Sequence, residues 1–130
     1  MTDLHLNQIS KDVIAAAIEV HKTLGPGLLE SVYQNCLFLE LKERGIKFKA
    51  QAIVPLTYKG TAIQKDYIID FLVEDQIVLE LKAIETVLPI HEAQLLTYLK
   101  LADKPLGLLI NFNVSKLTDG ITRRVNNFKE

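Results

Sequence analysis

The chain has no tryptophan, one methionine and one cysteine. A lone Cys36 excludes an internal disulfide and a cysteine-rich zinc site, and it fits a reducing, cytoplasmic setting. Cys36 itself reads as a small buried residue. No apolar run approaches the roughly 20 residues that span a bilayer, so no membrane partner is expected. The opening MTDLHLNQISKDV lacks a basic segment followed by an apolar one, so it does not read as a signal peptide. A large charge of either sign is also missing. The formal net charge of −1 argues against a protein that coats nucleic acid non-specifically. Linkers, repeats and low-complexity segments are absent, so residues 1–130 read as one domain, large enough to bury a core.

What is present centres on Tyr67 to Ala83, YIIDFLVEDQIVLELKA. The stretch reads as two β-strands, rich in Ile, Val, Leu, Phe and Tyr, joined by a tight turn at Glu74-Asp75-Gln76. A three-residue turn centred on Asp75 places Asp70 directly opposite Glu80 in an antiparallel pair. The period of two then puts Lys82 on the face of Glu80, with Leu79 and Leu81 on the other. Two carboxylates facing each other across strands repel. Half-buried, they need a cation, either Lys82 or a metal, or one must keep a proton.

Along the rest of the chain, Ile9, Val13, Ala17, Val20 and Leu24 predict a helix from about Asn7 to Leu24, capped by Asn7 or Ser10. His21 within it reads as a solvated or structural histidine. Gly25-Pro26-Gly27 ends that helix. A second helix runs from about Leu28 to Arg44, with Leu29, Tyr33, Cys36, Leu37 and Leu41 on its apolar face. Glu30 falls in register with Tyr33, Leu37 and Leu41; alone, it reads as a first-turn glutamate favoured by the helix dipole and left in water.

Ile46 to Lys59 reads as a strand, with Pro55 marking an edge or a bulge. Lys59-Gly60 turns the chain into the strand that carries Asp70. A third helix is expected from Pro89 to about Ala102, with Ala93, Leu96 and Leu99 inward and His91, Gln94 and Tyr98 on another face. Leu106 to Phe112 reads as a strand covered on both sides. The tail carries Lys116, Arg123, Arg124 and Lys129, and its Ile121 and Val125 suit a last strand or a helix. The order α-α-β-β-β-α-β predicts an α/β fold with a mixed β-sheet flanked by helices on both faces.

Carboxylate oxygens are hard ligands suited to Mg²⁺ or Mn²⁺, and a magnesium site uses one or two of them with water and substrate phosphate. Such a site hydrolyses phosphodiesters. Taken alone, an Asp followed by Glu-x-Lys also describes alternating charges on a solvated strand.

Together with the other motifs, the chain resembles the PD-(D/E)XK nuclease superfamily and its small bacterial GxxExxY family. The signature stands as Gly27-Leu28-Leu29-Glu30-Ser31-Val32-Tyr33, and the nuclease core as Ile69-Asp70 followed by Glu80-Leu81-Lys82. Gln94-Leu95-Leu96-Thr97-Tyr98 resembles the QxxxY helix motif of the RecB-like branch. The likeness spans about residues 8 to 126 and implies a restriction-endonuclease-like core. Ile69 stands where the superfamily name has proline, which supplies no ligand atom.

The resemblance implies that Asp70 and Glu80 are metal ligands, and that Glu30 reaches the metal directly or through water. It makes Lys82 the catalytic lysine, with Gln94 a further catalytic residue. Gln94, Tyr98 and Tyr33 are implied to touch the substrate. The implied cofactor is Mg²⁺ or Mn²⁺, and the implied partner is nucleic acid, DNA in particular, in repair or defence. A basic rim for it is sought among Lys42, Arg44, Lys47, Lys49, Lys65, Lys100, Lys104, Arg123 and Arg124. The resemblance leaves room for a homodimer and for a protein partner that supplies specificity. The competing readings are a non-catalytic nucleic-acid- or protein-binding module and a structural or oligomerisation domain whose charged cluster is an internal salt-bridge network.

Overall fold

The structure, a computed structural model, describes residues 3–127; Lys129 of the tail lies outside the described residues. Helix α1 (Asp3–Leu24) and helix α2 (Glu30–Glu43) precede strands β1 (Phe48–Tyr58), β2 (Thr61–Val73) and β3 (Ile77–Lys82). Helix α3 (Pro89–Ala102), strand β4 (Leu106–Asn111), a 3-10 turn (Leu117–Gly120) and strand β5 (Ile121–Val125) complete the chain. The five strands form one sheet in the order β1-β2-β3-β4-β5, with β3 and β4 parallel and every other pair antiparallel. The expected mixed α/β sheet is therefore present.

The helices divide between the two faces. Val13, Ala16 and Ala17 of α1 and Tyr33, Leu37 and Leu41 of α2 pack on Phe71, Ile77, Leu79, Leu81, Leu108 and Ile110. On the other face, Leu95 and Leu99 of α3 close over Ile69, Leu72, Val78 and Leu109. Strand β4 is buried along its whole length, because it lies inside the sheet with helices on both sides, as its unbroken apolar sequence predicts.

Several boundaries differ from those expected. Helix α1 starts before Asn7, because Leu6 adds one more buried position to its apolar row. Ser10 is consequently a buried residue inside the helix and not its cap. In α3 the buried stripe is Leu95 and Leu99; Ala93 is exposed and Leu96 only flanks the cluster. Gly107 of β4 sets this register: a Cβ there would stand 2.9 Å from Leu95 Cδ1 and 3.0 Å from Leu99 Cδ2. The tail is a strand, β5, paired antiparallel with β4.

Strand β1 lies at the sheet edge, with a register irregularity between Pro55 and Thr57, as proline in a strand suggests. The turn beyond it places Lys59 and Gly60 at φ 49° and 82°, the geometry of a tight hairpin.

Candidate functional site

The turn Glu74-Asp75-Gln76 sets the register Val73↔Ile77, Leu72↔Val78 and Phe71↔Leu79. One step further the same register brings Asp70 opposite Glu80, as the period of two predicts. There the backbone ladder gives way to side chains. The Leu81 N–H donates to Asp70 Oδ2 at 2.8 Å, and the Asp70 N–H donates to Glu80 Oε1 at 3.4 Å. Each acid thus accepts from backbone near the other, and the strands part where an ordinary pair would continue.

On the opposite side of β2, Gln51 falls between the pairs Ala50↔Phe71 and Ala52↔Ile69 and takes a left-handed φ of 52°. Strand β2 rotates at the same point: Phe71 joins the core under α1 and α2, whereas Ile69 joins the core under α3. Asp70 therefore sits in a notch reached from both layers.

Helix α2 supplies Glu30 to this notch at its first turn. The entry to that turn is fixed by Tyr33, whose hydroxyl donates to Gly25 O at 2.6 Å and accepts from the Leu28 N–H at 3.2 Å. Tyr33 is fully buried and stacks on Phe112 with ring centroids 4.5 Å apart. Tyr33, which the resemblance implied to touch substrate, has its ring and its hydroxyl both engaged inside the protein. Leu29, expected on the apolar face, is 73% exposed as the residue preceding the helix.

Lys82 ends β3, its carbonyl accepting from the Phe112 N–H at 2.9 Å. The segment after it is clamped by buried Asn111, which accepts from the Ile84 N–H and donates to the Ile84 carbonyl, both at 3.0 Å. From α3 come Gln94, which is exposed, and Tyr98, which is half-buried. The Gln94 side chain lowers the Tyr98 hydroxyl slightly against the larger effects that raise it. His91, by contrast, accepts the Leu88 N–H at its Nδ1 at 2.9 Å and caps the helix start. His21 is buried, with Nε2 2.8 Å from Val114 O, and is structural.

The electrostatics join these groups. Burial, followed by the charge of Asp70, pushes Glu80 up to about 8, although the Asp70 N–H and Lys82 pull it down. Burial also raises Asp70, against the opposing pull of the Leu81 N–H, Glu80, Lys82 and Gln34. Glu30 is raised by burial and then by Asp70, with Lys82 opposing. Tyr98 is raised by burial and by the charges of Glu80 and Asp70. Glu30, Asp70, Glu80 and Lys82 therefore share one field, and Tyr98 borders it. Burial and the charge of Asp70 thus both favour the protonated form of Glu80, whose Oε1 accepts from the Asp70 N–H.

Two residues at the notch carry no signature in the motifs. Gln34 donates from Nε2 to Asp70 Oδ1 at 3.1 Å and to Glu30 Oε1 at 3.4 Å. Tyr67 stacks on Tyr98 with centroids 4.5 Å apart and donates to the Tyr98 carbonyl at 3.1 Å. The Tyr67 hydroxyl is pushed up to about 12 by burial, then by Tyr98 and Glu80. Their spacings, Gln34 four residues after Glu30 and Tyr67 three before Asp70, are the only cues in the sequence.

Among the described residues, no three His, Cys, Asp or Glu side chains converge as a metal cage. The donor set that does exist, the facing carboxylates of Asp70 and Glu80, fits a cation that takes one or two protein carboxylates. Glu30 stands apart from the pair, with the Gln34 amide between it and Asp70. The basic rim is partly consumed by internal pairs: Arg44 with Glu40, Lys104 with Asp75 and Arg124 with Glu92. No helix among the described residues is long and apolar enough to cross a membrane.

The family model of the PD-(D/E)XK nuclease superfamily matches residues 7–125. No curated protein and no solved structure matches the chain.

Proposed function

We propose that this chain, which belongs to the PD-(D/E)XK nuclease superfamily, is a Mg²⁺- or Mn²⁺-dependent nuclease that hydrolyses phosphodiester bonds of DNA. The observation that carries the reading is the Asp70–Glu80 pair, two facing carboxylates at a break in the β-ladder, with Lys82 on the same strand. A structural ion-pair network does not account for it. Among the described residues Lys82 makes no ion pair within 4.0 Å, so the acids are left without a bonded cation. The GxxExxY and QxxxY stretches support placement in the GxxExxY family and its RecB-like relatives, with DNA repair or defence as the setting.

In this reading Asp70 and Glu80 hold the cation. Bound there, it supplies Lewis-acid polarisation of a phosphoryl oxygen and makes water a stronger acid. Lys82, at the open end of β3, offsets the negative charge that grows on the phosphoryl oxygens. Glu80 must give up its proton when it takes a metal, because the ligand form is the carboxylate. Gln94 and Tyr98, on the α3 side of the notch, orient the substrate strand. Glu30 accepts a proton or orients water at the α2 side.

The test is scission of labelled duplex and single-stranded DNA in Mg²⁺, Mn²⁺ or chelator. The reading expects metal-dependent cleavage that Lys82→Ala and Asp70→Asn each reduce by at least about 100-fold, the scale of one lost electrostatic stabiliser. DNA binding that survives both chelation and Lys82→Ala, without scission, would instead establish a non-catalytic binding module. The near-neutral net charge of −1 favours that second reading.

A further inference from the structure

Gln34 stands one helical turn beyond Glu30, half-buried, with its side-chain amide between acids from two different elements. Its nitrogen carries two protons, enough to reach Asp70 Oδ1 at 3.1 Å and Glu30 Oε1 at 3.4 Å together. The other oxygen of Asp70, Oδ2, is already held by the Leu81 N–H at 2.8 Å. Asp70 is thus gripped at both oxygens, from β3 on one side and from α2 on the other. Two such bonds fix the plane of the carboxylate, whose terminal torsion is otherwise broad. Each carboxylate oxygen has a second acceptor position, so the bonds orient the group without closing it to a cation.

We propose that Gln34 is a positioning residue of the metal site: its amide ties α2 to Asp70 and sets the direction from which Asp70 Oδ1 meets a divalent cation. This rests on the reading of Asp70 and Glu80 as cation ligands. It explains why a neutral amide stands between two carboxylates. A lysine or arginine there would satisfy both acids and compete with the metal for them, whereas an amide supplies donors without adding charge. It also gives Glu30 a role that does not require direct coordination, since Glu30 anchors the same amide. Partners of this kind hold metal ligands in place, and their loss typically weakens affinity by about 10- to 100-fold.

Two measurements decide the matter. Gln34→Leu removes both donors and retains a side chain that favours helix. With its helical circular dichroism retained, its Mn²⁺ affinity by calorimetry should fall by about 10- to 100-fold relative to wild type. In unsubstituted protein, the side-chain amide resonances of Gln34 should move as Mg²⁺ is titrated in, a signature that a merely structural glutamine would not show. Wild-type Mn²⁺ binding with unchanged affinity in Gln34→Leu, or resonances that ignore Mg²⁺ at saturation, would overturn this inference alone. Failure of the wild type to bind either cation would overturn the metal-site reading and this inference with it.

Discussion

Replacing Glu80 by Gln should flatten the pH dependence of stability. Glu80 is 9% exposed, and its carboxyl is pushed from 4.5 up to about 8 by burial and by the charge of Asp70. The unfolded chain releases this proton near pH 4.5, but the folded chain holds it until about pH 8. Between these values the native state binds more protons, so stability is greatest below pH 4.5 and falls as pH rises through 8. The interval corresponds to roughly 5 kcal/mol, at about 1.4 kcal/mol per pH unit. In a chain of this length that is on the order of 15 °C in Tm.

Glu80→Gln keeps an oxygen to accept the Asp70 N–H and supplies an amide proton toward Asp70, but it cannot ionise. Its Tm in chelator should therefore fall less than the wild type's from pH 5 to pH 8.5 and exceed the wild type at the alkaline end. Scanning fluorimetry or calorimetry across that range reads both curves. Mg²⁺ should restore wild-type stability at alkaline pH, because a cation that binds only the folded, ionised pair stabilises it. A wild-type Tm that stays level, or a slope unchanged by Glu80→Gln, would refute the reasoning.

Tyr33→Phe should lower stability by about 1–3 kcal/mol in urea denaturation, since it strands the Gly25 carbonyl and the Leu28 N–H together. Unchanged stability with weakened DNA binding would contradict the structural role. Gly120→Ala should cost about 1–3 kcal/mol or more, because the new Cβ would lie 2.2 Å from the Asn111 carbonyl oxygen; an unshifted Tm would show that the close approach is not maintained in solution.

The Asp70–Glu80 opposition was legible because it needs only a turn length and a period of two, and both strands are apolar enough to fix their register. Glu30 stood out for the same reason, as an acid in a row of buried positions. The burial of Tyr33 was legible from helical spacing, which puts it on the apolar face of α2, whereas its substrate contact was implied only by the resemblance. It shares the row with Glu30, yet Phe112, the residue after β4, stacks on it. The stripe of α3 was misplaced because Gly107, on a different element, decides which leucines can seat. Gln34 and Tyr67 carry no pattern of their own. Their contacts with Asp70 and Tyr98 arise only when α2, β2 and α3 meet around the notch. The strand character of Ile121–Val125 likewise comes from the free edge of β4 and not from its own few apolar residues.

The most direct test of the central claim, that the Asp70–Glu80 pair exchanges a proton for a divalent cation, is calorimetric titration of Mn²⁺ in two buffers of different ionisation enthalpy. The account predicts saturable binding to wild type with proton release at neutral pH, and loss of that binding in Asp70→Ala. Absence of binding to wild type, or equal binding to Asp70→Ala, would contradict it.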